Sequence, residues 1–237
     1  MPIFSIGPNS RTTTQGLLME AAPTILQSMN LILASTSPYR SELLARLGLP
    51  FSAQAPQFEE IRASGGLPPE ELVIANALGK AESLSKTNPG SLIIGSDQVG
   101  FCEGEILEKP GTVQKAIDQL LRISGREHQL INGLAVVKSA GTQSSQDSLP
   151  RPQTRLVINK LRVRLLSRIE ATNYVRRDNP IDCAGAYKVE SLGISLFESI
   201  SGDDPTAIIG LPLIALTGLL NDYNMGPLSA ASHQGER

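Results

Sequence analysis

"LILASTSPYRSELL", residues 31–44, is an apolar run that breaks into three hydroxyl residues and a proline before a helix begins. A short segment that is apolar throughout reads as a strand covered on both faces. Ser37 fits an N-cap and Pro38 the first helical position. Leu43, Leu44 and Leu47 then line one helix face, until Gly48 and Pro50 end it. A strand feeding a helix start presents unpaired backbone N–H groups and partial positive charge, which suits an anion. Ser35 adds a hydroxyl, and Arg40 adds a fork that matches phosphate oxygens. An ordinary capped helix would carry the same residues, so the rest of the chain has to identify the anion.

The same alternation continues outward from this unit. A second helix is expected from about Pro69 to Lys86, and "SLIIGSDQV" (91–99) reads as another buried strand. "GFCEGEILEKP" (100–110) has the turn and alternation of a small hairpin, followed by a helix over Val113–Ile123 and the strand "GLAVV" (133–137). Residues 141–152 form a polar loop without a packing signal. "KLRVRLL" (160–166) alternates, placing Leu161, Val163 and Leu165 inward and Arg162 and Arg164 outward. Ser167 and Glu170 make a capping box for the next helix. Two more short strands and an apolar helix at about 206–223 complete the pattern. Strands alternating with helices and hairpins predict an α/β fold with a mixed sheet. Residues 1–28 read as a flexible extension, 29–228 as the structured domain, and 229–237 as a disordered tail.

Composition narrows the function. A chain of 237 residues with 41% hydrophobic residues can build one large domain or two packed lobes. Its net charge of −2 leaves no broad basic face, which argues against nucleic acid as a partner. Two distant cysteines and two histidines offer almost nothing to zinc, so any metal should be an oxygen-liking one such as magnesium or manganese. Cys102 and Cys183 read as free thiols. No stretch suits a membrane span or a signal peptide, and the expected location is cytoplasmic. There is no P-loop, no dinucleotide turn and no nucleophile elbow.

Asp97 is the sharpest chemical candidate. It follows an apolar strand and a glycine, so it should emerge at a strand's C-terminal end, where open α/β sheets place ligands. A carboxylate there can hold a metal or take a proton from water. Glu59 and Glu60 supply further oxygen ligands. Lys80 and Lys109 are uninformative singly.

In order, "LILASTSPYRSELL", "FEE", "GKAESL", "IIGSDQV", "GEILEKP", "SGREH", "CAGAYKVE" and "IIGLPL" closely resemble the Maf family of nucleotide pyrophosphatases, over about Asn30 to Leu228. The resemblance implies a two-lobed α/β fold of the inosine-triphosphatase type around a deep cleft, often as a homodimer. It implies metal-dependent conversion of a nucleoside triphosphate to a monophosphate and diphosphate. Ser35, Arg40, Lys80 and Lys109 would hold the triphosphate, Glu60 and Asp97 would bind the metal, and Asp97 matches the proposed proton acceptor. The branch that resembles dTTP and UTP hydrolases carries a second arginine, a threonine and a glutamine where this chain has Tyr39, Gln98 and Glu190. That trio is similar to the branch acting on 7-methyl-GTP. Methylation at N7 makes guanine cationic, which favours an aromatic face, and a carboxylate is a natural acceptor for its N1–H and N2 edge. The competing expectations are a dTTP/UTP pyrophosphatase and a regulatory binding protein of cell division. A complete acidic site with its lysines favours the enzyme.

Overall fold

In the computed structural model, residues 29–141 and 150–228 are described. The expected extension 1–28, the tail 229–237 and most of the loop 141–152 lie outside them. The described chain runs β1 (Leu31–Ala34), α1 (Pro38–Ala45), β2 (Ser52–Gln54), α2 (Pro69–Glu82), β3 (Leu92–Cys102) and β4 (Glu105–Leu107). It continues through α3 (Val113–Ile123), β5 (Glu127–Lys138), β6 (Gln153–Val163), α4 (Arg168–Asp178), β7 (Phe197–Ser201) and α5 (Leu213–Asp222). Seven strands form one sheet in the order β2-β1-β3-β5-β6-β7, with β4 paired to β3. β1 pairs in parallel with β2 and β3, and all other pairs are antiparallel. The sheet is therefore mixed, as the hairpin signals imply.

Three long strands give the molecule its two lobes. Near one end, Leu31, Leu33, Leu43, Leu44, Ile94 and Leu216 bury the contact of α1 and α5 with the sheet. Toward the other, Leu120, Ile123, Leu130, Leu161, Val163 and Val175 join α3 and α4 to the same strands. Each of these large side chains, fully buried, contributes about 1.5–3 kcal/mol. Ser37 caps α1 as expected, its Oγ accepting from the Arg40 N–H at 3.4 Å. Both halves of the Ser167–Glu170 capping box are formed. Among the described residues no helix is long and apolar enough to cross a membrane.

The opposite sheet face is set by two glycines. A Cβ on Gly95 would meet the Ala77 carbonyl oxygen at 2.0 Å, and one on Gly133 would meet that of Val73 at 2.2 Å. α2 consequently rests its backbone directly on β3 and β5. Asp97 stands opposite Gly133 and two residues from Gly95, so it shares their face. Its neighbour Gln98 turns to the other face.

Five expectations need correction. Asp97 lies inside β3 rather than at its end, because the strand continues to Cys102 to pair with β4 and β5. Parallel pairing with β1 does stop at Ile94, so Asp97 still lies just past that edge. β5 begins at Glu127, six residues before "GLAVV", since its polar start is carried by the antiparallel ladder. Leu165 is 80% exposed: β6 ends at Val163 and the alternation runs past the strand. Only one short strand, β7, follows α4 among the described residues, and α5 starts at Leu213, preceded by a 3₁₀ turn over Pro205–Ile208.

His128, only 2% exposed, is bonded through Nε2 to the Tyr187 hydroxyl at 2.7 Å. Burial pushes its pKa down from 6.5 to about 4, against a smaller opposing effect of the Leu161 backbone. The unfolded chain therefore binds a proton that the folded chain refuses between those values. The stabilisation is complete above pH 6.5 and is lost as pH falls to about 4, by about 3 kcal/mol in all. Thermal melts of His128→Phe should show a shallower loss than the unaltered protein over this window. Equal pH slopes for the two proteins would remove His128 from the acid response.

Candidate active site

The residues assigned to the site from the sequence line three adjoining cavities in the cleft between the lobes. Arg40 and Lys109 border all three. The largest, about 510 Å³, takes in Glu60, Asn76, Lys80, Asp97 and Gln98. A second, about 180 Å³, lies under the start of α1 and is bordered by Ser35, Arg40, Lys80 and Lys109. The third, about 90 Å³, is walled by Tyr39, Gln98 and Glu190 together with Cys183 and Tyr187.

The acidic centre is organised by Lys80. Its ammonium, on a residue 3% exposed, lies 2.6 Å from Asp97 Oδ1 and 2.7 Å from Glu60 Oε1. The close seating of α2 on Gly95 makes this reach possible. Burial acts to raise the Glu60 carboxyl, but the hydrogen bond from Lys80 and the charges of Lys80, Lys109 and Arg40 hold it below its ordinary range. Asp97 is 7% exposed, whereas the Glu60 side chain keeps 60% of its surface in solvent. Among the described residues, no group of three or more histidine, cysteine, aspartate or glutamate side chains is arranged to hold a metal.

On the phosphate side, Arg40 donates through Nε to the Gly210 carbonyl at 2.9 Å. Burial lowers the guanidinium's pKa, and the charges of Asp97 and Glu60 oppose that effect. Arginine remains a cation at any working pH. Ser35 Oγ accepts from the Ser37 N–H at 3.1 Å and helps shape the entry to α1.

On the base side, Gln98 donates through Nε2 to the carbonyls of Ala207 (2.8 Å) and Ile208 (3.1 Å). These two acceptors fix the orientation of its amide, and Oε1 is the end left to accept. The Lys188 ammonium stands 5.8 Å from the Tyr39 ring centroid and donates to the Asp178 carbonyl at the end of α4, 3.1 Å away. Glu190 is exposed at the cavity mouth. Burial, with Asp182 beside it, pushes the Cys183 thiol up to about 12, so it is an inert wall.

Sequence reasoning missed Asn76 and Lys188. Asn76 had a legible signal: with Lys80 it puts two polar residues, four apart, inside the buried stripe Leu72, Val73, Ala77, Ala81 of α2. Lys188 had none, because its contact with Tyr39 spans distant segments.

The model of the family described as Maf-like protein matches residues 30–223. The chain belongs to the Maf family. Among similar proteins, a Pseudomonas putida protein named 7-methyl-GTP pyrophosphatase is 46% identical over 190 residues, covering 80% of this chain and 94% of that one. A Bordetella pertussis protein of the same name is 43% identical over 199 residues, covering 84% and 94%. Of solved structures, the Staphylococcus aureus Ham1 protein aligns with a TM-score of 0.39 at 16% identity, over 56% of this chain and 71% of that one.

Proposed function

We propose that this Maf protein is a nucleoside triphosphate pyrophosphatase that hydrolyses 7-methyl-GTP to 7-methyl-GMP and diphosphate. The observation that carries the reading is the convergence of Tyr39, Gln98 and Glu190 on one cavity that shares Arg40 with the basic cleft. The names of the relatives point the same way. The Tyr39 ring, now approached by the Lys188 ammonium at 5.8 Å, is the aromatic face a cationic purine would take. Gln98 Oε1 and the Glu190 carboxylate are both acceptors, matching the N1–H and N2 donors of guanine.

The chemistry follows from the basic and acidic halves of the cleft. Ser35, Arg40 and Lys109 hold the triphosphate, and Lys80 spans the phosphate and acidic cavities. Asp97 takes a proton from a water that attacks the α-phosphorus. The bond from that phosphorus to the bridging oxygen breaks, and diphosphate leaves. Lys80 keeps Asp97 oriented toward the cleft and offsets its charge against the incoming anion.

The donor set suits a divalent metal of the magnesium or manganese kind. Glu60 and Asp97 are hard carboxylates that converge closely enough to share the Lys80 ammonium. Magnesium characteristically takes one or two carboxylates and completes its shell with waters and substrate phosphates. Glu60 and Asp97 would hold it, and when bound it supplies neutralisation of the phosphate charge. A cytoplasmic setting fits a nucleotide substrate.

The test is incubation with 7-methyl-GTP and magnesium, with nucleotide and phosphate products resolved separately. Equimolar 7-methyl-GMP and diphosphate are expected, with turnover abolished by excess chelator and restored by magnesium or manganese. Release of orthophosphate and 7-methyl-GDP would contradict cleavage at the α-phosphorus. Undiminished turnover in chelator would contradict the metal assignment.

A further inference from the structure

We infer that Asn76 is a positioning residue that sets the relative placement of Asp97 and the Glu60 loop. The inference rests on the reading of Asp97 as proton acceptor. Asn76 is 3% exposed and sits one helical turn before Lys80. Its Oδ1 accepts from the Ile61 N–H at 2.8 Å, and its Nδ2 donates to the Ile61 carbonyl at 3.0 Å. The same Nδ2 donates to Asp97 Oδ2 at 3.1 Å. Because Oδ1 must face an N–H, the amide cannot be flipped without losing all three bonds.

These contacts complete what Lys80 leaves undone. Lys80 holds one oxygen of Asp97, Oδ1, and Asn76 holds the other. A carboxylate gripped at both oxygens from one helix cannot rotate about its terminal bond. The pair of bonds to Ile61 acts on the residue directly after Glu60, a loop position without regular secondary structure. Asn76 therefore ties an irregular loop, bearing one carboxylate, to the strand residue that bears the other. Only an amide fits this role, since it needs one acceptor and two donors in one plane. An aspartate would lose both donors and set a like charge against Asp97. A leucine has the same branching, with a larger volume, and would lose all three bonds.

Asn76→Leu removes all three bonds, and its circular dichroism and melting temperature are compared with those of the unaltered protein to establish that it folds. Asn76→Ser is the second variant, leaving room for a water to take up the same partners. The expected result is a fall in kcat of roughly 10- to 100-fold, as for a misplacement of about 1 Å at the reacting groups. KM should stay within about threefold, since the bonds Asn76 makes go to Ile61 and Asp97 and not to Ser35, Arg40, Lys109, Tyr39, Gln98 or Glu190. Combined with Glu60→Gln, the loss should be smaller than the product of the two single losses, because both changes disrupt the same arrangement. A loss carried by KM, losses that multiply fully, or unchanged kcat in either folded variant would overturn the inference. Normal turnover in Asn76→Leu beside an inactive Asp97→Asn would remove Asn76 alone. Normal turnover in Asp97→Asn would remove the Asp97 reading and this inference with it.

Discussion

Asp97→Asn should lower kcat by about a hundred- to ten-thousand-fold, the usual worth of a general base. The amide keeps the shape of the carboxylate but cannot accept the proton of the attacking water. The fold should survive, because Lys80 retains Glu60 Oε1 at 2.7 Å and is not left as an unpaired buried charge. The substituted amide can also still accept from Lys80 through its carbonyl oxygen. A variant with unchanged circular dichroism, a melting temperature within several degrees and almost no turnover is the expected combination. Near-normal turnover in that folded variant would take Asp97 out of the mechanism, and the acidic centre would then be a structural ion pair.

Much of this cleft was legible from residue order, for identifiable reasons. The unit from Leu31 to Leu44 reads correctly because strand, cap, proline and helix are all local signals. Phosphate and metal candidates read as separate features along the chain, and the resemblance to the Maf family is what groups them. What the sequence could not reveal was the contact geometry. Lys80 reads as a surface lysine until Gly95 and Gly133 are seen to let α2 rest on the sheet. A glycine in a strand signals close approach, but not which helix approaches. The extent of β5 was hidden for a related reason: its polar residues 127–129 are held by antiparallel partners far along the chain. Leu165 shows the converse, an apolar residue in register whose strand has already ended.

Exchanging Tyr39, Gln98 and Glu190 for arginine, threonine and glutamine should erase the preference for the methylated base. Arginine at position 39 would repel a cationic purine where tyrosine attracts it. Threonine at 98 is too short to reach the carbonyls of Ala207 and Ile208 that Gln98 now holds. Glutamine at 190 removes the negative charge from the acceptor. A desolvated cation–π contact is worth up to roughly 2 kcal/mol, equivalent to a factor of about 30. Lys188 reduces this gain in the unaltered protein, since its ammonium lies near the same ring and must be displaced by the base or share the ring with it. The triple variant should therefore lose more than about tenfold in preference for 7-methyl-GTP over GTP, and should begin to admit pyrimidine nucleotides. Retention of the original preference would show that discrimination resides outside the trio.

An enzyme discriminates between nucleotides by the ratio of their kcat/KM values. The decisive measurement is kcat/KM of the unaltered protein for 7-methyl-GTP, GTP, dTTP and UTP under one set of conditions with magnesium. The expected result is a value for 7-methyl-GTP more than about tenfold above each of the other three. A higher value for dTTP or UTP than for 7-methyl-GTP would contradict it and assign the protein to pyrimidine nucleotides.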